Sequence, residues 1–252
     1  MDLGLKDKVA IVTGGSRGIG RAICLGLAAE GCNVALCARG EERLRETEAE
    51  LKAQGVKVLA ATTDVTQTAD AERFVAQVAS EFGRIDVLVN NVGGSRPGDD
   101  DEAWQAAVDL NFLSAVRCTR AVLPHMRAQG SGCVIHISSI YGRESGGGMS
   151  YNATKAAMIS HAKALALQLA PEGIRVNSIA PGSIQFPGGG WDRRVQADPE
   201  GMAAFVKQNI AAGRFGTVEE VADAVVFLAS ERARWITGAC INVDGGQSRS
   251  NI

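Results

Sequence analysis

Residues 8–20 read Lys8-Val9-Ala10-Ile11-Val12-Thr13-Gly14-Gly15-Ser16-Arg17-Gly18-Ile19-Gly20, an apolar run that leads directly into a glycine-rich turn. Residues 8–12 predict a buried strand, and residues 18–30 carry apolar side chains at helical spacing. Glycines permit a tight turn in which backbone N–H groups approach a pyrophosphate at the positive end of a helix. The spacing is G-x-x-x-G-x-G, which differs from the G-x-G-x-x-G of many dinucleotide folds. Between a strand and a helix, this turn predicts dinucleotide contacts by Gly14, Ser16, Arg17, Gly18, Ile19 and Gly20.

The rest of the chain alternates short β-rich runs with helix-length amphipathic stretches. The predicted strands are residues 8–12, 33–38, 56–62, 85–90, 133–138, 175–180 and 239–243. The predicted helices are residues 18–30, 41–53, 69–82, 151–170 and 218–230, and further helices fill residues 101–129. This βαβαβ order predicts an α/β fold: a Rossmann-type, doubly wound, mostly parallel sheet with right-handed crossovers, in a single domain of residues 1–252.

One connection is long for a compact domain. Residues 181–213 contain Pro187, the run Gly188-Gly189-Gly190 and Pro199. Connections of this length are usually functional lids or disordered segments. We therefore expect residues 183–213 to be a substrate-loop insertion, with Phe186 and Trp191 partly packed, and the pattern leaves its conformation open.

Composition and charge narrow the class of protein. The 252 residues are 46% hydrophobic, and a net charge of −2 indicates no surface for nucleic acid or anionic membrane. No apolar run reaches the ~18 residues of a membrane span, and no signal peptide is evident. The six cysteines form no C-x-x-C pair, which favours free thiols in a reducing, cytoplasmic compartment. The three histidines lack metal-ligand spacing, so no metal is expected, and His136 lies close to the predicted site.

The end of the second predicted strand bears on the choice of cofactor. An acidic residue at this position accepts hydrogen bonds from the ribose 2′-hydroxyl of NAD. The strand instead ends Leu36-Cys37-Ala38-Arg39. Arg39 and Arg17 are predicted to pair with a 2′-phosphate, which favours NADP(H) and leaves NAD(H) as the alternative. The other interpretation is that both arginines are simply solvated. Asp64 and Val65, after the third strand, are predicted to contact adenine.

Tyr151 and Lys155 lie four positions apart in a predicted helix, so both face the same side. A free phenol has a pKa of about 10, and an adjacent positive charge lowers that pKa by stabilising the phenolate. A tyrosine tuned in this way passes a proton to or from a hydroxyl or carbonyl oxygen. The spacing is also that of ordinary neighbours on a helix surface.

Six motifs follow one another along the chain. They are Thr13-Gly14-x-x-x-Gly18-x-Gly20, Asn90-Asn91-Val92-Gly93, Asn111, Ile137-Ser138-Ser139, Tyr151-x-x-x-Lys155 and Pro181-Gly182. Together they resemble the short-chain dehydrogenase/reductase family over nearly the whole chain, with Val92 in place of the usual alanine.

The resemblance implies a role for each motif. Tyr151 is the expected proton donor or acceptor, and Lys155 lowers its pKa and binds the nicotinamide ribose. A serine holds the substrate oxygen, and Asn111 anchors a water in a proton relay. The implied cofactor contacts are Asn90, Gly93, Tyr151, Lys155, Pro181, Gly182 and Ile184.

The identity of the catalytic serine depends on which feature of the motif is counted. The usual family spacing of 13 residues before the tyrosine selects Ser138, whereas the local pattern Ser-x-x-Gly selects Ser139. Ser139 is preferred, because it requires only a one-residue shortening of the following loop. Neighbouring strand residues point to opposite faces, so only one of the two serines faces the site. Tyr141 and Ser150 are nearby hydroxyls that are candidates for substrate contact.

The resemblance implies an NADP(H)-dependent oxidoreductase that reduces a ketone, or oxidises a secondary alcohol, by hydride transfer. The subgroup that the chain resembles is the 3-oxoacyl-(acyl carrier protein) reductase type. Arg127 is a candidate for carrier docking, whereas Glu172 stands where some such reductases are basic. Sugar or polyol, cyclic-ketone and steroid dehydrogenases are alternatives. A non-catalytic dinucleotide sensor is the alternative from another class.

The resemblance also implies a homo-oligomer, either a tetramer or a dimer. The expected contact surfaces are residues 101–129, 151–170 and 244–252. The apolar face of Ala156, Ile159, Ala164 and Leu167 fits either such a contact or the core. Around a small carbonyl or alcohol substrate, the pocket wall is predicted at residues 94–97, 141–149 and 183–191.

Overall fold

A computed structural model describes residues 2–95 and 97–251. Within them, seven strands form one parallel sheet in the order β3-β2-β1-β4-β5-β6-β7. The strands are β1 Val9–Thr13, β2 Asn33–Ala38, β3 Val58–Thr62, β4 Val87–Asn90, β5 Gly132–Ile137, β6 Ile174–Pro181 and β7 Cys240–Val243. The predicted doubly wound parallel fold is confirmed. Met1 and Ile252 of the predicted domain, and Arg96 of the predicted pocket wall, lie outside the described residues.

Helices cover both faces of the sheet. They are α1 Gly18–Ala29, α2 Glu41–Ala53, α3 Thr68–Phe82, α4 Asp101–Val108, α5 Ser114–Gln129, α6 Met149–Leu169, α7 Gly190–Ala197, α8 Pro199–Asn209 and α9 Val218–Ala229. Successive strand side chains alternate between two cores. Ala10 and Val12 pack with α1, α2 and α9, whereas Val9 and Ile11 pack with α3, α5 and α6. None of the helices in this described part is long and apolar enough to cross a membrane.

Several strand boundaries differ from the predictions. At the start of β4, the reason is that a side chain binds backbone groups that a neighbouring strand would otherwise pair with. β4 begins at Val87 and not at residue 85. The side-chain amide of Gln129 forms hydrogen bonds with both backbone groups of Ile85. It accepts from the backbone N at 2.8 Å and donates to the backbone O at 2.9 Å. The carboxylate of Asp86 accepts from the backbone N of Val9 at 2.9 Å. At the amino-terminal edge of the sheet, side chains therefore supplement the backbone hydrogen bonds, such as that from Asp86 N to Val9 O at 2.9 Å.

Residues 101–129, predicted to be helical, contain an irregularity that the pattern did not indicate. α4 and α5 are joined by a π-helical turn, Asp109–Leu113. Such turns are rare and frequently occur at functional sites. The turn places Asn111 on the inner side of the helix, where it is completely buried.

Residues 183–213, which we call the arm, contain α7 and α8. The Asp198 carboxylate caps α8 by accepting from Gly201 N at 2.9 Å, and Pro199 occupies the first helical turn. The Trp191 ring lies 4.9 Å from the Phe205 ring and 5.3 Å from the Phe215 ring, centroid to centroid. This aromatic cluster packs the arm against itself and the segment that follows.

The apolar face of α6 is not part of the core. Ala156, Ala164 and Leu167 are exposed in the single chain, Leu167 to 72%, and Ile159 is half-buried. Interpreting this face as core is therefore wrong. Burial on α6 is supplied by a different stripe that includes Met158, Ala162 and Ala166.

The carboxyl ends of β1 and β4 form the crevice at which the order of strands reverses. Thr13, the last residue of β1, connects the two strands through its hydroxyl. The hydroxyl accepts from Asn91 N at 3.0 Å and Val92 N at 3.3 Å, and it donates to Val89 O at 3.4 Å. The segment after β4 is thereby fixed beside the glycine-rich turn.

Candidate active site

A cleft of about 860 Å³ runs along the carboxyl ends of the strands, within the range of ligand sites. Of the predicted site residues, all but Gly18, Asn90 and Asn111 line it. Those on its wall are Gly14, Ser16, Arg17, Ile19, Gly20, Arg39, Asp64, Val65, Gly93, Ser139, Tyr151, Lys155, Pro181, Gly182 and Ile184. The cleft therefore brings residues that are far apart in the chain, from Gly14 to Ile184, to one edge of the sheet.

The glycine-rich turn has the geometry of a phosphate cradle. Gly14 has φ +68°, a conformation that side chains disfavour. A Cβ on Gly20 would lie 2.2 Å from the Gly14 oxygen and 2.5 Å from the Asn91 amide nitrogen. No side chain caps the amino end of α1, and its first turn carries no acidic residue. The turn and the helix end therefore fit a pyrophosphate group.

Gly18 is absent from the cleft wall because the Phe186 ring covers it. A Cβ on Gly18 would lie 2.7 Å from that ring. Phe186 belongs to the arm, and it lines the cleft together with Trp191. The arm therefore contacts the phosphate cradle directly.

The far end of the cleft carries charges of both signs, because Glu41, Glu42 and Asp64 line it beside its arginines. Arg17 and Arg39 are exposed on its wall, and neither forms an ion pair with another residue in the described ranges. The Asp64 carboxylate accepts from both the N and the hydroxyl of Thr66, at 3.0 and 2.8 Å. Arg43, in the first turns of α2, lines the same end and was missed by sequence reasoning. Its only signal was its position four residues after Arg39.

Asn90, predicted to contact the cofactor, points away from the cleft. Its amide nitrogen lies 3.0 Å from the Thr119 hydroxyl and 3.1 Å from His136 Nδ1. Asn90 still belongs to β4, so its side chain alternates to the α5 side, whereas Asn91 lines the cleft. The Asn91 amide donates to Thr13 O at 3.0 Å and Gly14 O at 3.2 Å. Asn91 therefore holds the glycine-rich turn, a role that sequence reasoning missed.

Ser138 and Ser139 face different partners. The Ser138 hydroxyl donates to the backbone oxygen of Lys155 at 2.9 Å. The Ser139 hydroxyl accepts from Tyr141 N at 3.2 Å, and Ser139 lies close enough to the Tyr151 phenol to lower its pKa. The geometry places Ser139 beside the phenol.

Asn111 lies behind the cleft wall and is held by three hydrogen bonds. Its amide oxygen accepts from Gly94 N at 2.8 Å, and its amide nitrogen donates to Gly94 O and Ala107 O, both at 3.1 Å. A Cβ on Gly93 would lie 2.9 Å from both the Asn111 amide oxygen and Lys155 Nζ. Asn111 therefore fixes the loop that passes in front of Lys155.

Burial sets the electrostatics of Tyr151 and Lys155. Desolvation raises the pKa of Tyr151 above its ordinary value, and the nearby Ser139 hydroxyl opposes this shift. Desolvation lowers the pKa of Lys155 to about 7. Lys155 Nζ donates to Ile137 O at 2.8 Å and lies 5.7 Å from the centre of the Tyr151 ring. Burial is the largest cause of the shift in the pKa of Tyr151, and the expected lowering of that pKa by Lys155 stays a prediction.

Arg127, the candidate for carrier docking, lies away from the cleft. It belongs to the last turn of α5, which leads to the amino end of β5, whereas the cleft lies at the carboxyl ends. Its guanidinium is paired with Glu172, with Nε 2.6 Å from the carboxylate. The charge of Arg127 is therefore balanced by Glu172, at the edge of the sheet opposite to the cleft.

A match to a family model shows the family to which the chain belongs. Residues 14–248 match the model described as enoyl-(acyl carrier protein) reductase. The chain belongs to the short-chain dehydrogenase/reductase family. It is therefore an NAD(P)-dependent oxidoreductase, as the sequence motifs predicted.

Three relatives of this dehydrogenase/reductase illustrate the range of the family. The short-chain reductase protein NovJ of Streptomyces niveus is 37% identical, over 96% of this chain and 94% of the relative. The 3-oxoacyl-[acyl-carrier-protein] reductase FabG of Staphylococcus epidermidis is 37% identical, over 95% and 98%. The L-sorbose reductase of Gluconobacter frateurii, solved with NADPH and L-sorbose, is 38% identical with a TM-score of 0.94, over 99% and 100%.

Other titratable side chains of this dehydrogenase/reductase lie outside the cleft. Residues 2–95 and 97–251 contain no group of three or more His, Cys, Asp or Glu suited to a metal ion. All six cysteines are free thiols, and only Cys240 is more than slightly accessible. His136 is completely buried, its ring stacked on that of His161 at 5.5 Å.

The complete burial of His136 predicts that the protein loses stability in acid. Burial, followed by the proximity of His161 and Lys155, lowers the pKa of His136 from 6.5 to about 3. The folded state therefore binds this proton less readily than the unfolded state. The contribution of His136 to the free energy of unfolding is fully present above pH 6.5. It is lost as the pH falls toward 3, by at most about 1.4 kcal/mol per pH unit.

We expect His136→Asn to reduce this slope in urea unfolding measured between pH 7 and pH 4. The matched control is His125→Asn, since His125 is only half-buried on α5. An unchanged slope in His136→Asn would show that His136 is not the group responsible.

Proposed function

We propose that this enzyme reduces a ketone to a secondary alcohol with NADPH, and catalyses the reverse oxidation. The observation that carries the proposal is the position of Ser139 and Tyr151 together on the wall of the cleft that contains the glycine-rich cradle. Lys155 and the loop held by Asn111 lie next to this pair. A sensor that only binds a dinucleotide has no need of these groups.

Tyr151 is the proposed proton donor in the direction of reduction. Because burial raises its pKa, the phenol carries its proton at neutral pH. Ser139 is placed to donate a hydrogen bond to the same carbonyl oxygen, which stabilises the negative charge that develops there. When bound, the nicotinamide supplies the hydride. The protein supplies the proton and the orientation of the carbonyl.

Lys155 and Asn111 have supporting roles in this proposal. With its pKa lowered to about 7, Lys155 both gains and loses a proton readily near neutral pH, which suits the resupply of protons to Tyr151. The Asn111 amide is engaged by Gly94 and Ala107, so we assign it to holding the 93–95 loop. A bound water remains compatible with its amide oxygen, which has a second lone pair.

The catalytic roles are tested by Tyr151→Phe, Ser139→Ala and Ser138→Ala, assayed by NADPH consumption over a panel of ketones. We expect Tyr151→Phe to lower kcat about 10²- to 10⁴-fold, since it removes a general acid. Ser139→Ala is expected to lower kcat by about 10²-fold, while Ser138→Ala retains most of it and serves as the matched control. NADPH binding persists in all three.

Two results would contradict this assignment. Loss of turnover in Ser138→Ala with normal turnover in Ser139→Ala would reverse the choice of serine. Binding of NADPH without turnover of any ketone, with Tyr151→Phe indistinguishable from the parent, would favour the dinucleotide sensor.

The preferred cofactor is NADP(H), with NAD(H) as the alternative. Arg17 lies at the start of α1, and Arg39 lies directly after β2. The last residue of β2 is Ala38, so β2 does not end on the carboxylate that binds the ribose of NAD. The guanidinium matches the geometry of a 2′-phosphate. The sorbose reductase that resembles this chain was solved with NADPH, which supports the same choice.

We expect Arg39→Ala to weaken NADPH binding about tenfold to a hundredfold, the equivalent of about 1.5–3 kcal/mol for charge-assisted hydrogen bonds. NADH binding should change less than about twofold, because NADH lacks the phosphate. Arg45→Ala is the matched control, since Arg45 is paired with Glu41 and Glu48 on α2. Equal losses for both cofactors would disprove phosphate recognition by Arg39.

The proposed substrate class is a small hydroxylated ketone. It is supported by the L-sorbose reductase that this chain resembles at 38% identity, which was solved with L-sorbose. Asn152 accepts from Gly147 N at 3.1 Å, and a Cβ on Gly147 would meet Asn152, Tyr141 and Tyr151. Of these groups, only Tyr151 lines the cleft itself.

A 3-oxoacyl thioester is the second candidate, supported by the 3-oxoacyl reductases among the relatives. The pairing of Arg127 with Glu172 weakens the argument for carrier docking on this surface. The ketone panel therefore includes ketoses, cyclic ketones, oxosteroids and a 3-oxoacyl thioester. Preference for the thioester by kcat/KM would overturn the choice of a hydroxylated ketone.

We also propose that the enzyme is a homo-oligomer that uses the exposed face of α6. Leu167, with Ala156 and Ala164, leaves an apolar strip uncovered in the single chain. Light scattering is expected to give a mass of at least twice 26.3 kDa. Leu167→Glu should lower that mass, whereas Gln168→Glu, at the neighbouring exposed position, should not. A parent mass of one chain would contradict this proposal.

A further inference from the structure

Residues 244–251, which follow β7, fold back over the cleft-forming loops. The Asp244 carboxylate accepts from Gly246 N at 3.0 Å and from Ser248 N at 2.8 Å, which closes a tight turn. The Gln247 side chain accepts from Ser183 N at 2.7 Å and is almost completely buried. This carboxy-terminal segment, which we call the strap, is therefore in contact with the loop of Gly182 and Ile184.

Glu144 connects the strap to a second loop. One of its carboxylate oxygens lies 2.8 Å from Arg249 N, 3.0 Å from Ser250 N and 3.1 Å from the Ser248 hydroxyl. Three donors converging on one carboxylate oxygen form a strong, charge-assisted attachment. The three donors are contributed by residues more than 100 positions away in the chain.

Glu144 is coupled to Ser139 through a short, hydrogen-bonded turn. Ser139 caps the 3₁₀ turn Ile140–Gly142. The backbone N of Glu144 bonds to Ile140 O at 3.0 Å, and that of Arg143 bonds to the same oxygen at 2.8 Å. A shift of Glu144 therefore moves the turn that carries Ser139 and Tyr141.

The strap also reaches the arm. The backbone N of Ala212 bonds to Gly245 O at 2.9 Å, directly after α8. A Cβ on Gly182 would lie 2.8 Å from both Asp244 Cβ and the Gln247 amide oxygen. The strap therefore connects the Ser139 loop, the cofactor-side loop at Gly182 and the base of the arm.

We propose that Glu144 is a positioning residue, which sets the substrate-binding geometry of Ser139 by attaching its loop to the strap of residues 244–251. The inference rests on the proposed function, because Ser139 holds the carbonyl oxygen in it. Glu144 itself is not among the described residues that line the cleft. Its effect reaches the site through the three strap donors.

The proposal is tested by a double-mutant cycle of Glu144→Ala and a chain shortened after Gln247, which removes the donors at residues 248–250. Each change alone is expected to lower kcat/KM for the ketone about tenfold, with the dissociation constant of NADPH changed less than threefold. In the shortened chain, Glu144→Ala should add less than a twofold further change. Glu144→Gln, which keeps an amide oxygen as acceptor, should recover part of the loss.

Full additivity of the two changes would show that Glu144 does not act through the strap. A kcat/KM within twofold of the parent in both single variants would show that the strap does not position the site. Glu219→Ala, an exposed carboxylate in the first turn of α9, is the control for loss of charge.

A measurement that needs no turnover separates this proposal from the proposed function. Hydrogen exchange of residues 139–149 in the NADPH-bound enzyme is expected to accelerate at least tenfold in Glu144→Ala and in the shortened chain. If the parent turns over no ketone, the proposed function fails, while exchange still decides whether the strap holds the loop. Unchanged exchange in both variants would overturn the inference.

Discussion

The contact between the β1–α1 turn and the segment after β4 is the constraint on which the rest of the site depends. Gly20 meets the Gly14 oxygen and the Asn91 amide so closely that no side chain fits between them. Thr13 and Asn91 then connect the ends of β1 and β4 by hydrogen bonds. Because these strands flank the point where the strand order reverses, this contact opens the crevice and gives the helix end access to a phosphate.

Burial then sets the electrostatics of the two side chains to which we assign proton transfer, Tyr151 and Lys155. Lys155 is almost wholly removed from water and keeps a single strong acceptor, the Ile137 oxygen. Its pKa of about 7 and the raised pKa of Tyr151 both follow from desolvation. Proximity at i and i+4 in the helix is necessary for this arrangement, but the packing of β5 and the π-helical turn against α6 creates it.

The two halves of the cleft are held in different ways. The cofactor half is stabilised by regular pairing of adjacent parallel strands, whose ends are connected by Thr13 and Asn91. The proposed substrate half consists of loops and the arm, and side-chain hydrogen bonds such as that between Glu144 and Ser248 hold it in place. Such a division lets the substrate walls vary while the cradle is preserved, which is consistent with relatives named for both 3-oxoacyl and sorbose reduction.

The sequence by itself determined the doubly wound fold, the phosphate cradle and the Tyr151–Lys155 pair, since local periodicity and turn chemistry specify them. It placed Asn90 in the cleft when strand alternation assigns that position to Asn91, and it left α7 and α8 undescribed although Asp198-Pro199 marked a helix start. Only the tertiary structure decided the partners of Ser138 and Ser139, the direction of the pKa of Tyr151 and the attachment of Glu144 to the strap. The physical reason is that desolvation and long-range hydrogen bonds depend on residues far apart in the chain, which leave no pattern in the local sequence.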